Sequence, residues 1–320
     1  MGGQSIHKNT SNEVPEAMDA ASAPPTSPGV RELLDKYNLR PRKGLGQNFL
    51  ADPNILRKIV EAADLTPDAI VLEIGPGLGM LTRFLSQAAG RVVAVELDEA
   101  LFDLLRQELS GLSNLELVQG DILQLDLAEL VEGQTSPARP CGTGPGGRPI
   151  SNLQSPPYTV VANLPYYITS AAIRHVQEAN PPPQRIVLTV QREVAERIVA
   201  APGELSLLAV SVQFYGRPRI VARIPAGAFV PPPKVDSAVV RIDTHPAPPV
   251  EVADVEAFFR VVRAGFGQKR KQIKNSLAAG LGLPGGEAAA ALARAGIDPQ
   301  RRAQTLSLAE WAALTREIYR

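Results

Sequence analysis

At 320 residues, 44% apolar and 21% charged, the chain has the make-up of a folded globular protein with room for one large or two modest domains. Its 33 basic and 33 acidic side chains cancel, so the total charge neither selects nor excludes a nucleic-acid partner, and only the distribution of charge can speak to that. A single cysteine, Cys141, excludes an internal disulfide and a Cys-rich zinc site, and no apolar run reaches the ~18 residues of a membrane helix. No metal site is expected, and without an apolar leader segment at the N-terminus the expected location is the cytoplasm.

Residues 1–29 are rich in Ser, Pro, Ala and Asn and lack Phe, Trp and Tyr, the composition of a disordered tail. "DPNILRKIVEAADL" then begins with an N-cap, Asp52, and a proline at the first helical position. Ile55, Ile59, Ala62 and Ala63 fall on one face, which predicts an amphipathic helix. Short β-rich runs alternate with helical ones through "AIVLEI", "LGMLTRFLSQAA", "RVVAVE", "EALFDLLRQEL" and "LELVQ". That rhythm predicts a parallel sheet with helices on both faces. Residues 132–157 hold six prolines and five glycines and break it, so they read as a flexible surface insertion.

The pattern resumes with "YTVVANLPYYI", a helix near 170–178, and the strand "RIVLTVQ". Helices are expected near 192–200 and 204–214, and the strands "RIVARI" and "SAVVRID" flank "PAGAFVPPPKVD". Beyond Pro249 the sequence is helical: "VEAFFRVVRAGF", "KRKQIKNSLAAG", "GEAAAALARAG" and "SLAEWAALTREIY". The expected organisation is a catalytic domain over residues 30–245 and a small all-helical domain over 246–320.

Gly75, Gly77 and Gly79 follow one strand directly and precede a helix. Glycines there allow a sharp turn and close approach of a ligand, although a tight turn alone also explains them. The spacing is not that of a dinucleotide fingerprint, and no Lys-Ser/Thr pair follows as in a P-loop. Glu96 ends the next strand, 21 positions after Gly75, where a carboxylate accepts from ribose hydroxyls; the plain alternative is a solvated acid. Asp121 ends the third strand at the same edge, placed to accept from an adenine amino group. The three elements in order point to an adenosine-bearing cofactor.

"ANLPYYIT" (162–169) follows a strand where an α/β enzyme would place its chemistry, yet it holds no charge, histidine or cysteine. With "KGLGQNFLAD" (43–52), "LEIGPGLGMLT" (72–82), "VELD" (95–98), "GDIL" (120–123), "NLPYYIT" (163–169), "FVPPPKVDSAVV" (229–240) and "FGQKRKQIKNSL" (266–277), the chain resembles the ribosomal RNA adenine dimethyltransferases. The resemblance implies a Rossmann-like α/β methyltransferase sheet with a small all-helical C-terminal domain, and S-adenosylmethionine as the cofactor. It implies that Asn48, Leu50, Gly75, Gly77, Glu96, Asp121 and Asn163 bind that cofactor.

An adenine N6 amine is a weak nucleophile that is unprotonated near neutral pH, so it needs acceptors rather than a base. The Asn163 side-chain oxygen and the Leu164 carbonyl would hold its hydrogens, Pro165 would stiffen the turn, and Tyr166 would stack on the base. A sulfonium donor leaves as a neutral group, which explains a motif without charge. The alternative is a strand-to-helix turn with Asn as cap and Tyr as packing, and Tyr167 in particular reads as a packing residue as well. Phe229 would be a second stacking surface or core packing, and Lys234 would touch RNA or cap a turn.

From Arg260 to Lys274 there are six basic residues and no acid, among them Lys269, Arg270 and Lys271, and Arg40, Arg42 and Lys43 form a second cluster. Such patches are solvated faces or phosphate contacts, and beside a base-modifying site they favour RNA. Gln-Lys-Arg stands where relatives often carry paired arginines. The implied substrate is a pair of adjacent adenines, each dimethylated at N6, in the 3′-terminal hairpin loop of small-subunit rRNA within an immature 30S-type subunit. A monomer is expected. The rival readings are a large-subunit rRNA methyltransferase, a ribosome-assembly factor without essential catalysis, and a DNA N6-adenine methyltransferase.

Overall fold

The computed structural model describes residues 28–133 and 156–320, so the tail and insertion readings fall almost wholly outside the described residues. The first part of the chain supplies helices α1 (Val30–Lys36), α2 (Pro53–Ala63), α3 (Met80–Ala88), α4 (Glu99–Glu108) and α5 (Leu127–Glu132), with strands β1 (Phe49–Leu50), β2 (Ile70–Ile74), β3 (Arg91–Glu96) and β4 (Leu115–Gln119). Next come β5 (Tyr158–Asn163), α6 (Thr169–Gln177), β6 (Arg185–Gln191), α7 (Arg192–Ile198), α8 (Leu207–Tyr215), β7 (Gly216–Ile224), β8 (Phe229–Val230) and β9 (Ser237–Thr244). Four helices close the chain: α9 (Val255–Phe266), α10 (Ile273–Leu281), α11 (Gly285–Arg294) and α12 (Leu308–Ile318).

Seven strands form one sheet in the order β4-β3-β2-β5-β6-β9-β7. Strands β4 to β6 pair in parallel, whereas β9 runs antiparallel to both β6 and β7. The expectation of a parallel sheet therefore holds for its first five strands and fails at β9. The chain reaches β9 through the short "PPPKVD" connection rather than through a crossover helix, and a parallel strand requires a crossover.

Alternation along the strands builds a core on each face. Leu72, Val93, Val160, Leu188 and Val240 face α5 to α8, while Val71, Val92, Val161, Val187 and Val239 face α2 and α3. Local signals set the helix starts. The Asp52 carboxylate accepts the Asn54 N–H at 2.8 Å ahead of Pro53, and Asp98 does the same for Ala100 at 3.0 Å.

The C-terminal helices pack around Trp311, Phe258, Leu277 and Leu292, and that cluster also takes in Leu205, Val210 and Phe214 from the α8 region. The apolar contacts thus cross residue 246. The helix expected from Lys269 begins instead at Ile273, and Lys269, Arg270 and Lys271 lie in the turn before it. Cations are disfavoured at a helix N-terminus, and here the Gln268 carbonyl takes the Lys271 N–H in a turn.

Two short elements escaped the periodicity argument. β1 pairs antiparallel with β8, with Phe49 opposite Val230 and Leu50 opposite Phe229. A two-residue strand has too few positions to show an alternation.

Candidate active site

The strand order reverses between β2 and β5, and the carboxyl ends of parallel strands at such a reversal form a crevice. A cleft opens there. Asn48, Leu50, Gly75, Gly77, Glu96, Asp121, Asn163, Leu164, Pro165, Tyr166 and Phe229 all line it, although they come from six separate stretches of sequence. Lys234, Lys269, Arg270 and Lys271 do not line it; Lys234, Lys269, Arg270 and Lys271 are exposed outside it.

The glycine turn is a cradle. Gly75 and Gly77 hold φ of +69° and +60°, a region where a side chain is strained. A Cβ on Gly75 would meet nothing within 4 Å, so the backbone there faces open space. A Cβ on Gly77 would come within 3.1 Å of the Phe49 ring. The "GQNFL" segment therefore lies directly against the turn.

Glu96 closes one side. Its carboxylate accepts the Gly77 N–H at 3.1 Å and the Asp98 N–H at 2.9 Å. Burial pushes this carboxyl up, and the backbone N–H groups pull against that rise. Asp121 folds into a local turn, accepting the Leu123 N–H at 3.0 Å through Oδ1. At the neighbouring rim, Gln47 donates to Asp98 at 2.9 Å and Arg42 lies 3.2 Å from the same carboxylate oxygen.

On the opposite side, β5 ends at Asn163. Asn163 Nδ2 donates to the Asn48 carbonyl at 3.5 Å, which leaves Oδ1 as the acceptor. Asn48 in turn donates through Nδ2 to the Gly46 carbonyl at 3.0 Å. The Leu164 side chain is buried in the sheet core, so this residue can serve the cleft only through its backbone. Tyr166 is half-buried, and its Oη lies 2.7 Å from Ser237 Oγ. Burial raises the Tyr166 phenol, so the ring is neutral. Tyr167, which also reads as a packing residue, is 61% exposed at the cleft and lies over the Gly46 backbone instead of entering the core.

The sequence reading passed over Glu73, which also lines the cleft. It is 1% exposed, its Oε2 has no hydrogen-bond partner among the described residues, and burial pushes its carboxyl up to about 8. The buried Thr82 hydroxyl lies close enough to soften that rise but not in hydrogen-bonding geometry. The available signal was one acid within the otherwise apolar "IVLEI".

The observed cradle fits S-adenosylmethionine. It offers bare backbone at Gly75, acceptors for an adenosine at Glu96 and Asp121, and an orphaned buried carboxyl oxygen at Glu73 for a ligand that carries positive charge.

Residues 38–319 match the family described as ribosomal RNA adenine dimethylase. A ribosomal RNA small subunit methyltransferase A from Dehalococcoides mccartyi (strain CBDB1) is 46% identical over 297 residues, covering 93% of this chain and 95% of the relative. Among solved structures, the 23S rRNA methyltransferase ErmE is 30% identical with a TM-score of 0.62, over 85% of this chain and 100% of that one. A dimethyladenosine transferase from Plasmodium falciparum shares the fold, with a TM-score of 0.65 at 23% identity over 85% of this chain and 97% of that one.

Proposed function

The chain belongs to the ribosomal RNA adenine dimethylases, enzymes dependent on S-adenosylmethionine, and from that premise we propose that it dimethylates N6 of two adjacent adenines in the 3′-terminal hairpin loop of small-subunit (16S) rRNA. Its substrate is an immature 30S-type subunit, on which it acts as a cytoplasmic monomer. One observation supports this reading above the others. The Gly75–Gly77 turn, Glu96, Asp121 and the Asn163–Tyr166 turn converge on one cleft.

When bound, S-adenosylmethionine supplies a methyl group on a sulfonium whose departure as a neutral thioether needs no acid. Asn48, Leu50, Gly75, Gly77, Glu96, Asp121 and Asn163 would hold it. The chain's own contribution is positioning. Asn163 Oδ1 and the Leu164 carbonyl accept the two N6 hydrogens in the first transfer and the one that remains in the second, leaving the nitrogen lone pair free, and in each transfer one proton passes to water after attack rather than before it. Pro165 stiffens the turn, and Tyr166 and Phe229 stack on the extruded base, each contact worth roughly 1–3 kcal/mol.

The C-terminal region, residues 246–320, is the RNA-binding part and presents Lys269, Arg270 and Lys271 to phosphates, and Lys234 is a further RNA contact. The test is to incubate the protein with labelled S-adenosylmethionine and separated small subunits, large subunits or duplex DNA lacking adenine methylation, and then to map the label. N6,N6-dimethyladenosine in the small-subunit 3′ hairpin is expected. Label in large-subunit RNA or DNA, or cofactor binding without transfer, would overturn the assignment.

A further inference from the structure

Tyr166 and Phe229 both border the cleft, Phe229 from β8 with its ring mostly sunk in the core (2% exposed), and the dipeptide Asp236–Ser237 bonds to Tyr166 on one side and to Ala226, three residues before Phe229, on the other. Ser237 is fully buried as the first residue of β9, between Gln191 of β6 and Ile224 of β7. Its hydroxyl meets Tyr166 Oη at 2.7 Å, on the end of the ring remote from the backbone. Asp236 Oδ1 accepts the Ala226 N–H at 3.1 Å. Ala226 opens the single 3₁₀ turn Ala226–Ala228, and the next residue is Phe229. Asp236 is itself anchored to the start of α7: its carbonyl takes the Arg192 N–H at 3.0 Å, and Oδ2 lies 3.4 Å from Arg192 Nη1.

A stack requires two parallel planes at a fixed separation. Packing restrains a half-buried tyrosine in part, and a hydrogen bond at its far end removes the remaining rotation about its ring torsions. The Phe229 backbone is paired with Leu50, and the 3₁₀ turn held by Asp236 leads directly into that pairing, so the two together hold the backbone that carries the ring. A slot fixed before the base arrives loses less freedom on binding than one assembled around it.

We propose that Asp236 and Ser237 are positioning residues that set the slot for the target base: Ser237 fixes the Tyr166 ring, and Asp236 fixes the turn that delivers Phe229. This rests on the reading of the cleft given above. Neither residue lines the cleft, so both act through the aromatic residues that do.

The experiment measures kcat and KM on unmethylated small subunits, S-adenosylmethionine affinity and Tm for Ser237→Ala, Tyr166→Phe, the double variant, Asp236→Ala and Asp236→Asn. Ser237→Ala and Tyr166→Phe should each lower kcat/KM about tenfold with cofactor affinity kept, and the double variant should be no worse than either, since one bond is lost in all three. Asp236→Ala should lose a similar factor, and Asp236→Asn, which keeps the acceptor oxygen, should recover it. Losses that multiply in the double variant, or a Tyr166→Phe enzyme equal to wild type, would overturn the Ser237 role whatever happens to Tm. Full activity in Asp236→Ala would overturn the Asp236 role. A wild-type protein that methylates no adenine would sink the reading of the cleft and this proposal with it. Active wild type beside unaffected variants would sink the proposal alone.

Discussion

Replacing Glu73 with glutamine tests whether the floor of the cleft holds a neutral acid. The folded carboxyl titrates at about 8 against an ordinary 4.5, because burial penalises its charged form and Thr82 offsets this only in part. Between these two values the unfolded chain has released the proton and the folded chain has kept it. Raising the pH through that window therefore lowers stability, by about 1.4 kcal/mol per pH unit, and the loss levels off above the folded value. Glutamine has nearly the same shape and does not titrate. The stability of Glu73→Gln relative to wild type should thus rise by about 1.4 kcal/mol between pH 6 and pH 7 and flatten above about pH 8. Urea unfolding of both proteins without cofactor at pH 5, 6, 7, 8 and 9 measures the difference. A constant offset across the series, or a variant that loses ground as the pH rises, would show that Glu73 is ionised in the folded protein and that the burial argument is wrong.

Gly77→Ala should lower stability by about 1–3 kcal/mol, since φ is +60° and the added methyl meets the Phe49 ring at 3.1 Å. It should also weaken S-adenosylmethionine binding by calorimetry, because the "GQNFL" segment packed against the turn must shift. Gly265→Ala places a methyl 2.4 Å from Trp311 Cη2 and should cost at least about 1–3 kcal/mol in urea unfolding, while cofactor affinity at a folded population stays at the wild-type value. Changing Lys269, Arg270 and Lys271 together to glutamine should weaken RNA binding without altering which adenine is methylated. The slope of log affinity against log salt should flatten by roughly 2–3, measured by filter binding.

How much of this was legible in the sequence depended on the range of the interaction. The sheet strands announced themselves because an apolar run between turn residues is local, and α2 was marked by the adjacent Asp52 and Pro53. The Gly75 turn, Glu96 and Asp121 were legible because each stands at the end of such a run, and parallel pairing brings those ends to one edge. The reversed strand β9 was not legible, because strand direction depends on the connection and not on side-chain pattern. The β1–β8 pair and the Tyr166–Ser237 bond join residues far apart in sequence, and no local period encodes them. Glu73 was hidden for a different reason: an acid inside an apolar strand breaks the pattern, and its meaning emerges only when the cleft is seen beside it. The helical C-terminal region was readable from its spacing, but not that its core continues into α8, since Phe214 and Phe258 meet only in the fold.

The central claim is that the Asn163 turn holds the adenine amine and supplies no acid or base. Asn163→Ala measures it most directly, with single-turnover methyl transfer to unmethylated small subunits and cofactor affinity determined on the same preparation. Transfer should fall by about 10²–10³, the range for removing one preorganised polar contact, and the loss should persist at S-adenosylmethionine concentrations that saturate the folded variant. Transfer within tenfold of wild type, on the same adenines, would contradict the account.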